Sequence, residues 1–474
     1  MDKKLIYTSV ENNAGLLTDL SDRIWELAEL SMEECGSAKA YTDILTAKGF
    51  QVEENLVGIR TAFLGRYGSG RPVIGILGEF DALSGLSQTA GALSPMSDTP
   101  GANGHGCGHN LLGAASLGAA LAIKEQIEAG HLTGTVVFYG CPGEEGCAGK
   151  VFMARDGLFR DLDAALCWHP GDVNEVTTGS HAASLQIEYT FTGTAAHAAD
   201  NPEQGRSALD AAELMNIGVQ FLREHMPKTC SVHYAFSDTG GRSPNVVQPT
   251  SKLVYMVRAS NVRSAKALLN RVDKIAQGAA LMTETTMTSR QIDGTSSTLS
   301  NGVLEKLLYE NLCQAPLPMY TEEEIAFAKA LRATFPAQKL PGQRTDEDFT
   351  LRSFVSEHSC NGAKALNDFI LPYVPSLHMN PGSTDVGDVS WLTPTAQFTA
   401  VTWPSCAPGH SWQIVSMGKT TIAHKGLLLA AKVLAGTAAD LLEDITILDN
   451  ARQEFAHAAA EGYDCPITAD VAPQ

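Results

Sequence analysis

Apolar residues return along this chain at two different periods. From Leu16 to Met32 they recur every three or four positions, which predicts a helix with one buried face. Val-Ile-Gly-Ile-Leu, inside Pro72–Leu77, is a short unbroken apolar run and predicts a strand covered on both sides. A loop rich in Gly, Ser and Pro follows from about Ser84 to Gly104. A helix is expected to open near Asn110. Its apolar run, Leu111 to Ile123, is rich in Gly and Ala, too short to span a bilayer, and reads as a buried helix. Thr135–Tyr139 and Ala164–Trp168 are apolar, β-branched and aromatic, and predict two further strands. Strands alternating with helices argue for an α/β sheet buried on both faces.

The pattern changes near Ala183. Leu185–Phe191 alternates like a half-buried strand, Ser207–Met226 is amphipathic at helical spacing, and Ser231–Phe236 and Lys252–Val257 alternate again. Val262–Met282 predicts a second helix and Glu284–Gln291 a final strand, after which helical patterning returns at Val303. The order is βαββαβ, the ferredoxin-like arrangement.

Polar residues cluster where the first set of strands ends. Glu79 and Asp81 follow the first strand, Glu144 and Glu145 the second, and His169 closes the third. In open α/β sheets, sites gather at the carboxyl ends of the strands. Cys107 and His109, in G-H-G-C-G-H, lie just before a helix whose dipole favours a thiolate, and thiolate with imidazole suits zinc or a similar metal. The same residues could form a glycine-rich turn with one satisfied histidine. Glu144 and Glu145 are held between Gly143 and Gly146, so one carboxylate could bind metal while the other acts as a base. A solvated acidic turn is the plainer alternative. His169 in W-H-P and His410 in P-G-H-S are weak signals alone, and the reading rests on the set. Asp81 fits a residue that orients a ligand, or a simple turn cap. The α+β unit is read as an insertion, because His169 and His410 flank it. This gives a discontinuous metal-binding domain, residues 1–182 and 296–474, around a unit at 183–295. Within that unit His197, Asn245 and Arg258 could stabilise an oxyanion or hold a carboxylate, or could be ordinary surface groups.

Composition narrows the partners. The 474 residues suffice for two or three domains, and a net charge of −19 argues against nucleic acid or an anionic membrane surface. Ten scattered cysteines without a C-x-x-C pair, and an N-terminus without an apolar core segment, lead to the expectation of a reduced, cytoplasmic protein. There is no H-E-x-x-H, G-x-S-x-G or P-loop motif.

Taken in order, G-H-G-C-G-H, P-G-E-E-G, W-H-P, G-T-A-A-H-A-A, S-P-N-V-V and S-T-D-V-G-D-V-S-W resemble the M20 metallopeptidase family in its amidohydrolase branch, and within it the aminobenzoyl-glutamate hydrolase subgroup. The resemblance implies a zinc-hydrolase-like catalytic domain with an inserted lid that mediates dimerisation. It implies two divalent ions, zinc or manganese, held by Cys107 as bridge with His109, Glu145, His169 and His410. Glu144 would be general base and then acid, His197 would reach the partner subunit's site, and Asn245 and Arg258 would meet the substrate. The expected activity is hydrolysis of an N-acyl amino acid such as p-aminobenzoyl-glutamate or a related folate fragment. Other acyl groups of the indole-acetyl or hippurate type, or a non-catalytic metal-binding subunit, are the alternatives. A homodimer is expected, with room for a different partner subunit. Asn110 stands where the branch usually has Asp, which removes a negative charge near the ligands.

Overall fold

The computed structural model describes residues 1–336, 339–341 and 349–473. Its strands are β1 (Gln51–Glu54), β2 (Phe63–Ser69), β3 (Val73–Gly78), β4 (Gly134–Gly140), β5 (Ala164–Gly171), β6 (Glu175–Val176), β7 (Ser180–His181), β8 (Ala183–Thr192), β9 (Ser231–Asp238), β10 (Thr250–Ala259), β11 (Thr286–Thr295), β12 (Met379–Asn380) and β13 (Thr395–Val401). The three predicted apolar strands are β3, β4 and β5, and they lie together at the centre of a seven-stranded sheet, in the order β1-β2-β4-β3-β5-β13-β6. β4, β3, β5 and β13 are parallel, while β1, β2 and β6 join antiparallel at the edges.

Every residue of β3 and β4 is buried, as a strand covered on both faces requires. One face carries the helices His109–Glu128 and Thr421–Glu443, together with the N-terminal helices Lys3–Asn12 and Ala14–Leu27. The other carries Gly149–Arg155 and Val386–Ser390. Leu111–Ile123 is a buried helical run, as its composition predicted. No helix among the described residues is long and apolar enough to cross a membrane.

The helix predicted at 16–32 is shorter than its pattern. It ends at Leu27, because Ala28 turns left-handed at φ 42°. The next residues form a turn in which the Glu29 carboxylate accepts from the backbone of Gly36 and Ser37. Leu30 and Met32, which extended the apolar period, belong to that turn. β1, β2, β6 and β13 carry no strong apolar run and their pairing is a tertiary outcome.

The second sheet is antiparallel, in the order β11-β8-β10-β9. Along the chain its elements run strand, helix Ala208–Arg223, two strands, helix Val262–Met282, strand. Both helices pack on one face and enclose a core of their own. Ser207 caps the first helix by accepting from the Asp210 N–H, and the predicted Val262–Met282 helix has those bounds. The last strand begins at Thr286, two residues later than expected, because Glu284 adopts φ 52°.

The helix His109–Glu128 reaches the end of β3 very closely at Gly113. A Cβ there would lie 2.4 Å from Tyr41 Oη and 2.6 Å from the Glu79 carbonyl oxygen. Tyr41 belongs to a buried ring cluster with Phe63, Phe80 and Phe138, at centroid distances of 5.5–6.0 Å. Gly113→Ala therefore gains helix propensity of about 1 kcal/mol and overpacks at a cost of about 1–3 kcal/mol. Chemical denaturation should show net destabilisation, and a stabilised variant would contradict this packing.

Candidate metal centre

The parallel strands all stop along one edge of the first sheet. β3 leads into Glu79-Phe80-Asp81, β4 into the turn that holds Glu144 and Glu145, and β5 carries His169 in its last residues. His109 is the first residue of its helix rather than lying before it. Gly108 caps that helix at φ 79°, and a Cβ there would stand 3.0 Å from Pro170 and Trp403. Cys107 is thereby brought against β5. His410 arrives from the loop beyond β13, in a left-handed conformation at φ 53°, with its N–H donating to the Gly106 carbonyl at 3.0 Å. A non-glycine residue in that conformation is a sign of a constrained site.

The donor atoms form two groups that share one sulfur. Cys107, His109 and His169 present atoms within 4.8 Å of one another, and so do Cys107, Glu145 and His410. A third group joins Glu79, His109 and Glu144. Cys107 Sγ stands 3.4 Å from His169 Nε2, and Glu145 Oε1 stands 3.3 Å from His410 Nε2. All five residues read as ligands are thus gathered, with Glu144 beside them. Four are at least half-buried, and His410 is 56% exposed.

The ring nitrogens are assigned by their other bonds. His109 Nδ1 donates to Asp81 Oδ1 at 2.9 Å, and His169 Nδ1 to the Pro170 carbonyl at 2.7 Å. Each Nε2 is left facing the cluster, where a neutral ring offers its lone pair to a cation. His109 Nε2 and Glu145 Oε1 are buried atoms that make no well-formed hydrogen bond, their loose partners being Glu79 at 3.4 Å and His410 at 3.3 Å. Poorly satisfied polar atoms in such a place are expensive, and a cation in each donor group would satisfy one of them. Two imidazoles on a shared thiolate, with a carboxylate and a third imidazole, fit first-row divalent metals.

The charges point the same way. Burial pushes the Cys107 thiol up, but His169 and His109 outweigh it and hold it down at about 6. Hydrogen bonds to Cys107 and Glu145 push His410 up to about 10. Burial, with Glu79 and Asp385 nearby, raises Glu144 well above the usual carboxylate range. The cluster is therefore short of positive charge.

Asp81 touches three segments. It accepts from His109, from Ser31 Oγ at 2.9 Å and from the Glu145 N–H at 3.0 Å. Burial works against its charge, yet these bonds hold it near 2. His105, the other histidine of G-H-G-C-G-H, faces away. Its Nε2 meets the Ile24 carbonyl at 3.0 Å, and burial pushes it down to about 4. Asn110 donates to Ser21 Oγ at 3.0 Å and to the Gly418 carbonyl at 3.1 Å, so it ties its helix to neighbouring segments.

His197, Asn245 and Arg258 do not join this cluster through any contact among the described residues. His197 is exposed and its Nδ1 accepts from the N–H groups of Ala199 and Asp200. Asn245 lies in an exposed turn whose carbonyl accepts from Ala198. Arg258 donates to the Pro381 carbonyl at 3.0 Å and to Ser383 Oγ at 2.9 Å, bridging the second sheet to the segment before Asp385.

Sequence reasoning passed over several groups. Lys150 is a lone cation in an apolar helical stretch, a signal visible in Gly-Lys-Val-Phe-Met. Glu34 gives no such signal, yet it is fully buried behind the Glu144–Glu145 turn, where Oε1 accepts from the Gly143 N–H at 2.8 Å. Burial, then the Asp81 charge, push it up to about 8 from an ordinary 4.5. Between those values the folded protein keeps a proton that the unfolded chain releases. This contribution is therefore full below the unfolded value and is lost as pH rises toward the folded one. Its slope is at most about 1.4 kcal/mol per pH unit. Glu34→Gln should flatten that decline, measured by denaturation at about pH 5.5 and about pH 7.5. An unchanged slope would show that Glu34 is ionised in the folded state.

A match to Peptidase family M20/M25/M40 spans residues 75–297. The chain is 43% identical to one of the subunits of p-aminobenzoyl-glutamate hydrolase of Escherichia coli K12, over 99% of this chain and 98% of that protein. A dinuclear metal-binding peptidase of the M20 family from Bacillus subtilis has a similar fold, with TM-score 0.58 at 17% identity over 91% of this chain and 99% of the other. So does an aminobenzoyl-glutamate utilization protein from Klebsiella pneumoniae, with TM-score 0.56 at 18% identity over 88% and 96%. With a fold in common and near-complete alignment to a curated relative, the chain belongs to the M20 peptidase family.

Proposed function

We propose that this chain is a metal-dependent amidohydrolase that cleaves the amide bond of an N-acyl amino acid, with p-aminobenzoyl-glutamate or a related folate fragment as first substrate. The observation that carries the reading is the pair of donor groups meeting at Cys107, with Glu144 beside them. In this reading Cys107, common to both donor groups, would help hold two divalent ions, zinc or manganese. His109 and His169 would help hold one, and Glu145 and His410 the other. The ions supply Lewis acidity toward the amide carbonyl and toward water. Asp81 keeps His109 in the tautomer that presents Nε2, and holds Glu145 through its N–H.

The protons are handled by Glu144. It takes one from the attacking water at its carboxylate and returns it to the nitrogen of the leaving amine. Its burial and its acidic neighbours favour a carboxyl that binds that proton well. His197 carries its own proton on Nε2, since Nδ1 accepts two backbone bonds, and donates toward the oxyanion of the substrate held by the other protomer.

We divide the chain into a catalytic domain, residues 1–182 and 296–474, and a ferredoxin-like lid and dimerisation domain at 183–295. The support is that β8 starts at Ala183, β11 ends at Thr295, and the core between them is separate. β9 is an edge strand with exposed Tyr234 and Phe236, a surface suited to pairing with a second copy. The Escherichia coli relative is named as one subunit of its hydrolase, which supports a second, different chain as a further partner. Sedimentation of the active protein should show a dimer or larger assembly, and a fully active monomer would remove the role of His197 in trans.

Glu144→Ala should lower kcat by about a hundredfold to ten-thousandfold and keep its metal. Glu145→Ala should lose metal. Elemental analysis beside an amide-hydrolysis assay decides this division, and equal metal contents would reverse it. Full activity after exhaustive chelation would end the metal-dependent reading.

Asn245 and Arg258 are proposed to meet the substrate carboxylate from the lid. Arg258→Ala should raise KM about tenfold to a hundredfold for a free-acid substrate, and far less for its amide. Equal losses on both would leave Arg258 as an anchor of the lid on Pro381 and Ser383.

A further inference from the structure

Lys150 is neither a ligand nor a proton carrier in the proposed reaction, yet it is fully buried beside the donor cluster. It lies five residues beyond Glu145, at the start of the helix Gly149–Arg155. Its Nζ stands 2.6 Å from Glu79 Oε1 and 2.6 Å from Asp385 Oδ1. Its own N–H donates to Asp385 Oδ2 at 3.0 Å. Three segments meet in this triad: the end of β3, the helix that follows the Glu144–Glu145 turn, and the residue that opens the helix Val386–Ser390.

The second oxygen of Glu79 is 3.4 Å from His109 Nε2. That nitrogen is the one His109 presents to the cluster, because Nδ1 is taken by Asp81. Glu79 thus stands between two partners, the Lys150 ammonium and the His109 ring. Without the ammonium, the buried carboxylate would turn to His109 Nε2 as its remaining partner and compete with a cation for it. Stability alone is a poor reason for such a triad. Buried ion pairs are often replaced by apolar groups without loss.

We infer that Lys150 is a positioning residue of the metal centre: by holding Glu79 and Asp385 it keeps His109 Nε2 open toward a cation and fixes the turn that bears Glu144 and Glu145. This rests on the two-metal reading, and the experiment separates the two.

The full chain, loaded with zinc and dialysed, is analysed for metal content, and the chelated protein for melting temperature. The wild type should retain about two ions per chain. A wild type that retains none overturns the metal reading, and this inference with it. Lys150→Met should lose roughly tenfold to a hundredfold in zinc affinity, with a matching fall in kcat. Two double variants keep the net charge of the triad and differ only in where the remaining carboxylate sits. K150M/E79Q leaves it at Asp385, whereas K150M/D385N leaves it at Glu79, beside His109. The first should recover zinc binding and the second should not. A purely architectural lysine predicts that both doubles behave alike in metal content and melting temperature, and that result overturns the inference. So does wild-type zinc affinity in Lys150→Met. If that single variant does not fold, the comparison of the doubles decides by the same criterion, and failure of both to fold also assigns Lys150 to architecture.

Discussion

The Asp81 carboxylate is the junction on which the donor set depends. It is fully buried, so its charge is tolerable only because three donors surround it. Those donors come from three places: the turn after the helix Ala14–Leu27, the helix that begins at His109, and the turn after β4. Through them one side chain sets the tautomer of His109 and the position of the Glu145 backbone. The strand end that carries Asp81 is itself pinned, by the Tyr41–Phe80 ring contact behind it and by the close approach of Gly113 to the Glu79 carbonyl.

Around this junction the protein accumulates buried ionisable groups of both signs. Glu79, Asp81, Glu144 and Asp385 stand near His109 and Lys150, and Cys107 near His169 and His410. In a low-dielectric interior such a collection is costly unless each charge has a counterpart. The pairs Asp81–His109 and Lys150–Asp385 are complete within the chain. His109 Nε2 and Glu145 Oε1 have only loose partners, Glu79 at 3.4 Å and His410 at 3.3 Å, and make no well-formed hydrogen bond. A site built in this way gains from a cation what it gives up in burial.

The two sheets differ in how they serve this chemistry. The first, parallel at its centre and covered on both faces, offers only its strand ends for chemistry, and the site lies there. The second has a core of its own and meets the first through short connections such as the Arg258 contacts with Pro381 and Ser383.

Much of this was legible in the sequence, for identifiable reasons. Continuous apolar runs such as Val73–Leu77 and Thr135–Tyr139 make strands wherever both faces are covered, so β3, β4 and β5 followed from local pattern. Glycine-flanked Glu144 and Glu145 announced themselves because they follow directly on such a run, and Cys107 and His109 because they stand where a helix opens. The chain could not reveal what sequence-distant packing decides. His105 and His109 look equivalent in G-H-G-C-G-H, and only the Ile24 carbonyl and the Asp81 carboxylate tell them apart. Glu34 and Lys150 drew no reading from the sequence, because what buries them are partners many residues away, Gly143 for one and Glu79 and Asp385 for the other. The contacts of Arg258 with the Pro381 carbonyl and Ser383 Oγ likewise come from a segment more than a hundred residues away. Local periodicity determines which elements form, because it depends on neighbours along the chain. Which polar groups face one another is decided only in the tertiary structure, where desolvation makes every buried charge find a partner.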